Sequence, residues 1–165
     1  MPPLEAGANA PNISLTTLQG KSFSLEQARN ATPVVAAFFK VGCPTCQYAF
    51  PYFERIFKAY PKDKVTFVGV SQDTKGDTEA FTKRFGVTFP ILLDDTRKYP
   101  ASNAYRLENV PTTFVISSAG KVEFLSVGWD KQEVTRLNEL VAKAAGTSPA
   151  QIFKAGEQVL DFKAG

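Results

Sequence analysis

The two cysteines of this 165-residue chain lie three positions apart, in Cys43-Pro44-Thr45-Cys46. They follow an apolar run at residues 34–39 that is typical of a buried strand. Where a strand gives way to a helix, the helix dipole and free backbone N–H groups favour an ionised, nucleophilic thiol. Pro44 fits the first helical position, so Cys43 becomes the N-cap and its sulfur accepts the Cys46 N–H. The motif predicts a redox-active pair.

Two other readings of the pair are weaker. A structural disulfide that closes only four residues stabilises a chain by roughly 2 kcal/mol, which is little for a chain able to build its own core. A zinc site needs four ligands, whereas the chain has two cysteines and no histidine, so only a metal shared between two chains would fit. The missing histidines also exclude Ser-His and Cys-His catalysis. Proton transfer must then use carboxylates, lysine, the thiols or water.

Composition narrows the function classes further. The net charge is only +3, with no long basic run, so we expect no nucleic-acid partner. The longest apolar run is too short to span a membrane, and the N-terminus lacks the pattern of a signal peptide. Both cysteines lie in one motif, which suits a reducing compartment. We therefore expect a cytoplasmic protein, or a periplasmic or otherwise extracytoplasmic one if a leader has been removed.

Hydrophobic periodicity predicts strands that alternate with helices. The expected elements are a hairpin over 12–25, strands at 33–41, 65–70, 91–93, 110–116 and 122–127, and helices after the cysteines and at 77–85, 99–105 and 134–144. The last two strands form an antiparallel edge pair. This order indicates an α/β three-layer sandwich with a mixed central sheet. We expect one domain over residues 1–146, followed by an irregular surface tail at 147–165.

These features together resemble the redoxin branch of the thioredoxin fold, which includes the AhpC/TSA group and the TlpA/ResA-like thiol-disulfide oxidoreductases. The matching motifs are the opening at residues 7–15 with Gly20-Lys21, the Cys-Pro-Thr-Cys turn, Pro51, Val110-Pro111-Thr112 and Gly120-Lys121. The resemblance covers about residues 5–146 and implies a thioredoxin-like sandwich with an N-terminal redoxin hairpin.

The resemblance also implies roles for residues. Cys43 would attack a partner disulfide and Cys46 would resolve the mixed disulfide. Pro111 would be cis and lie against the cysteines, leaving the backbone of Val110 free to pair with an extended substrate segment. The expected activity is thiol-disulfide exchange with a protein partner, fed by an upstream electron donor and requiring no metal or other cofactor.

Two departures from thioredoxin narrow the expected partner range. Ala37 stands where thioredoxins keep a buried aspartate, and Gly42 replaces the tryptophan that precedes their motif.

Two ionisable residues near the motif have two interpretations each. Lys40 is either a solvated strand end or a cation that stabilises a thiolate. Asp73 follows the next strand at the same sheet edge, where catalytic groups gather in α/β proteins. It is either a plain loop residue or the proton acceptor for Cys46.

Two alternative functions remain open. An AhpC/TSA-type peroxidase, an antioxidant enzyme, carries a Pro-X-X-X-Thr/Ser-X-X-Cys loop. Counting back from Cys43 gives Lys40 and Ala36, and counting back from Cys46 gives Cys43 and Phe39, so neither cysteine fits. The other alternative is a non-enzymatic redox-sensing module whose disulfide gates a partner.

Overall fold

The computed structural model describes residues 3–165, and five helices lie within this range. The helices are α1 (Leu25–Ala31), α2 (Pro44–Ala59), α3 (Lys75–Phe85), α4 (Pro100–Ala104) and α5 (Lys131–Ala145). The strands are β1 (Ser14–Thr17), β2 (Ser22–Ser24), β3 (Val34–Phe39), β4 (Thr66–Ser71), β5 (Ile91–Leu93), β6 (Thr112–Ile116), β7 (Val122–Val127), β8 (Trp129–Asp130) and β9 (Phe162–Lys163).

Seven strands form one mixed sheet in the order β2-β1-β5-β4-β3-β6-β7. The strand β3 pairs parallel with β4 on one side and antiparallel with β6 on the other, so that Val35 is opposite both Phe67 and Val115. β4 also pairs parallel with β5, whereas β6 and β7 form the predicted antiparallel edge pair. The sheet therefore places the ends of β3 and β4 at one edge, where the cysteine turn begins.

Helices cover both faces of this sheet. All six residues of β3 are buried, and its side chains alternate between two apolar clusters. One cluster joins β3 to α2, α3 and α5, and the other joins it to α1 and α4. A strand buried on both faces shows the continuous apolar run seen in the sequence. The predicted three-layer α/β sandwich is confirmed.

One helix was missed by the sequence reasoning. The hairpin over 12–25 is present as β1 and β2, but Leu25 opens α1 instead of extending the second strand. The side chain of Ser24 accepts the backbone N–H of Gln27 at 3.4 Å and so caps this helix. Ser24 and Gln27 have the spacing of a capping box, a signal that was available in the sequence.

The C-terminal segment is more ordered than expected. Residues 147–161 lack regular secondary structure, as predicted, but Ile152 is buried in the core beside α2 and α5. The chain then forms β9, which pairs antiparallel with β8 so that Lys163 is opposite Trp129. This pairing brings the end of the segment to the sheet edge that carries the cysteines.

Candidate active site

The cysteine turn has the predicted local geometry. Cys43 has extended backbone angles (φ −84°, ψ 116°) and is the N-cap of α2, with Pro44 in the first turn. The Cys43 sulfur accepts the backbone N–H of Cys46 at 3.2 Å. Because this N–H has no partner within the helix, the sulfur takes the place of a usual capping oxygen. The predicted capping role of Cys43 is confirmed.

The two thiols differ sharply in exposure. Both are free, but Cys43 is partly exposed whereas Cys46 is fully buried. Burial raises the pKa of Cys46 well above the usual thiol range, and the hydrogen bond and nearby charge of Cys43 raise it further. Cys46 thus stays a protonated thiol at neutral pH in this state. Cys43 is therefore the thiol that lies within reach of the protein surface.

The loop that precedes β6 faces Cys43. The Val110–Pro111 peptide bond is cis, as the resemblance implied, and Pro111 is buried. The Cys43 thiol donates to the carbonyl oxygen of Val110 at 3.5 Å. Thr112 begins β6, and its hydroxyl donates to the carbonyl of Asn109 at 2.7 Å, which braces the loop. The turn and this loop are therefore in direct contact.

A surface cleft of about 410 Å³ opens beside Cys43. Its lining residues are Lys40, Cys43, Pro44, Gln72, Leu107, Glu108, Asn109, Val110 and Gly165. The cleft lies between the cysteine turn and the cis-proline loop, and one of its lining residues comes from the C-terminal segment. A disulfide that enters this cleft has direct access to the Cys43 sulfur.

Lys40 and Asp73 both lie at the active-site turn, but neither side chain makes a hydrogen bond to a cysteine sulfur. Lys40 is exposed, and its carbonyl accepts the Cys43 N–H at 3.3 Å. Asp73 accepts the backbone N–H of Val41 at 2.8 Å through its Oδ2. Gln47, which the sequence reasoning did not single out, donates its side-chain amide to the carbonyl of Val41 at 2.9 Å. Asp73 and Gln47 therefore brace the turn through Val41.

Thr45, between the two cysteines, has an unexpected partner. Pro44 is exposed, but Thr45 is only 3% exposed. The Thr45 hydroxyl donates to the carbonyl oxygen of Ala164 at 2.6 Å. No local sequence pattern signals this contact, because its two residues are 119 positions apart. The C-terminal segment therefore belongs to the site.

A thioredoxin-like sheet that presents a Cys-X-X-Cys turn beside a cis-proline loop defines a class of thiol-disulfide exchange proteins. Comparisons with known proteins agree. The AhpC/TSA family matches residues 6–125. Thiol-disulfide oxidoreductase ResA of Geobacillus thermodenitrificans is 34% identical over 123 residues, which are 74% of this chain and 69% of that protein.

Solved structures agree with this class as well. A thiol:disulfide interchange protein from Bacteroides sp. is 25% identical with a TM-score of 0.71, covering 88% of this chain and 93% of that one. The thioredoxin domain of a thiol-disulfide oxidoreductase from Bacteroides vulgatus has a TM-score of 0.73 at 24% identity. The match covers 83% of this chain and 97% of that domain. That second likeness supports the fold alone.

The chain belongs to the AhpC/TSA family. It is a thiol-disulfide oxidoreductase of thioredoxin-like fold, and its relatives imply a protein thiol or disulfide as the partner. Within residues 3–165, no helix combines the length and apolar character needed to cross a membrane.

Proposed function

We propose that Cys43 is the attacking thiol and Cys46 the resolving thiol in exchange with a partner protein's disulfide. The observation that carries this assignment is the difference in exposure of two sulfurs on the same helix end. Cys43 borders the cleft, whereas Cys46 is fully buried and its pKa is raised by that burial. Only Cys43 is accessible to a second protein.

The exchange proceeds in two balanced steps. The Cys43 thiolate attacks one sulfur of the partner disulfide, the partner's S–S bond breaks, and its other sulfur leaves as a thiolate. Cys46 then loses its proton and attacks the Cys43 sulfur, which releases the second partner thiolate. Two electrons pass to the partner, its two thiolates take up protons, and a Cys43–Cys46 disulfide remains.

The backbone of Val110 supports a role in binding the partner. Its carbonyl already accepts the Cys43 thiol, so a polypeptide paired with Val110 would place its own sulfur close to Cys43. Main-chain pairing gives affinity without requiring a particular partner sequence. Val110, Pro111 and Thr112 are therefore the proposed substrate-binding loop.

Turnover requires an upstream dithiol that reduces the Cys43–Cys46 disulfide by the same two steps in reverse. We propose a dithiol donor of this kind, and a reducing compartment in which the protein works. The compartment is supported by the cysteine usage, because both cysteines lie in a single motif, which suits a reducing environment.

The test is dithiol-driven reduction of insulin by the wild type, Cys43→Ser and Cys46→Ser. Both variants should lose turnover, and only Cys46→Ser should accumulate a mixed disulfide with the substrate, because it keeps the attacking thiol. A mixed disulfide trapped only by Cys43→Ser would reverse the two assignments. A wild type that neither reduces insulin nor forms any mixed disulfide would refute the function.

A further inference from the structure

The C-terminal segment divides into an anchored part and a lightly held part. In the anchored part, Arg55 of α2 binds both carboxylate oxygens of Glu157 at 2.8 Å and also donates to the carbonyl of Ile152 at 3.0 Å. Phe153 packs beside Tyr52, with ring centroids 5.5 Å apart. These ionic and apolar contacts fix residues 152–157 to α2.

Residues 160–165, which we call the strap, are held differently. Leu160 and Phe162 are 47% and 65% exposed, so their side chains contribute little apolar burial. The strap is held through its backbone: Trp129 Nε1 donates to the Leu160 carbonyl at 2.6 Å, and the Leu160 N–H donates to the Tyr48 hydroxyl at 2.9 Å. A segment that buries little apolar surface and is held mainly through its backbone opens at a lower free-energy cost than a segment packed into the core.

The strap ends at the proposed substrate-binding loop. The Ala164 carbonyl is held by Thr45, between the cysteines. A Cβ added to Gly165 would lie 2.6 Å from the Val110 carbonyl oxygen, so the Gly165 backbone is packed directly against that group. The same oxygen accepts the Cys43 thiol. The strap therefore occupies the edge at which a partner polypeptide would pair.

We propose that residues 160–165 form a displaceable strap that selects among disulfide substrates. This inference rests on the proposed function of Cys43 and Val110. An extended polypeptide disulfide must displace Gly165 and Ala164 before it pairs with Val110. A small disulfide enters the open cleft beside Cys43 and leaves the strap in place. The strap thus slows exchange with polypeptides that pair too weakly with the Val110 backbone to displace it.

The experiment compares two rate constants for each reduced protein, one with insulin and one with 5,5′-dithiobis(2-nitrobenzoic acid). The wild type is measured beside a chain that ends at Asp161 and beside Thr45→Val, which removes the hydroxyl but keeps the side-chain shape. Gln158→Ala alters an exposed side chain ahead of the strap and is the matched control. The ratio of the two constants cancels any change in the reactivity of Cys43 itself.

We expect Thr45→Val to raise the insulin-to-small-disulfide ratio about fivefold, the factor that corresponds to one hydrogen bond of about 1 kcal/mol. The shortened chain should raise the ratio further, because it also loses the pairing of β9 with β8. Gln158→Ala should leave it unchanged. A ratio that stays constant or falls in both strap variants would overturn the strap while leaving the exchange function intact.

A second measurement follows the strap directly. Cys46→Ser is loaded with either a cysteine peptide or a small thiol as a mixed disulfide, and amide hydrogen exchange is measured. Exchange over residues 160–165 should accelerate with the peptide only. Equal protection in both adducts would contradict displacement. A protein inert to both disulfides would instead refute the proposed function, and the strap proposal with it.

Discussion

Substitution of Gly69 tests how tightly the core is packed beneath the active site. Gly69 is buried in the centre of β4, between β3 and β5. A Cβ at this position would lie 2.7 Å from Ile91 Cδ1 and 3.3 Å from ring atoms of both Phe39 and Phe89. Phe39 ends the strand that leads to the cysteine turn, and its ring packs on Phe50 of α2 with centroids 4.4 Å apart. The added methyl group therefore presses on the support of the site.

The expected magnitude follows from two opposing effects. Overpacking of a filled core costs about 1–3 kcal/mol. Replacing glycine with alanine also reduces the entropy of the unfolded chain, which raises the free energy of unfolding by about 0.4–1 kcal/mol. We expect Gly69→Ala to lower the free energy of unfolding by about 1–2 kcal/mol. For a chain of this size, that corresponds to a decrease in Tm of about 2–8 °C.

Urea unfolding and thermal melting of the reduced protein measure this change. Gly76→Ala is the matched control, because a Cβ at Gly76, in the first turn of α3, would have no heavy atom within 4 Å. That control should be as stable as the wild type or more so, by up to about 1 kcal/mol. A Gly69→Ala variant as stable as this control would refute the reasoning, because it would mean that Ile91 and both rings have room to move.

Three further predictions concern the site and its anchor. Asp73→Asn should slow release of the mixed disulfide if Asp73 accepts the Cys46 proton, and unchanged release kinetics from pH 6 to 9 would refute that role. Arg55 lowers the pKa of Glu157 to about 2 from an ordinary 4.5, so this pair stabilises the fold fully above pH 4.5 and loses its effect as the pH falls toward 2. The Tm difference between the wild type and Glu157→Gln should shrink over that range, and a difference that is constant down to pH 2 would contradict the pairing. Hydrogen peroxide should be consumed slowly, because neither cysteine carries the peroxidase loop, and enzyme-like rates would overturn that judgement.

Local chemistry explains why the cysteine turn was predictable. Pro44 favours the first turn of a helix, and the N-cap bond joins Cys43 to a residue only three positions away. The strand β3 was predictable for a similar reason, because its continuous apolar run indicates a strand buried on both faces. The missed helix α1 shows the opposite case. Its capping residues were visible, but Leu25 fitted the expected hairpin as well as a short helix.

The sequence by itself determined the exchange chemistry, because the identity and spacing of two cysteines at a strand-to-helix turn are local properties. Only the tertiary structure decided what surrounds them. It buried Cys46, brought Val110 to Cys43 across 67 positions, and brought Ala164 to Thr45 across 119. Such contacts depend on the sheet order and on how the last segment packs against α2. No short-range pattern encodes them, since each forms only when distant backbone groups are carried to the same edge by the folded core.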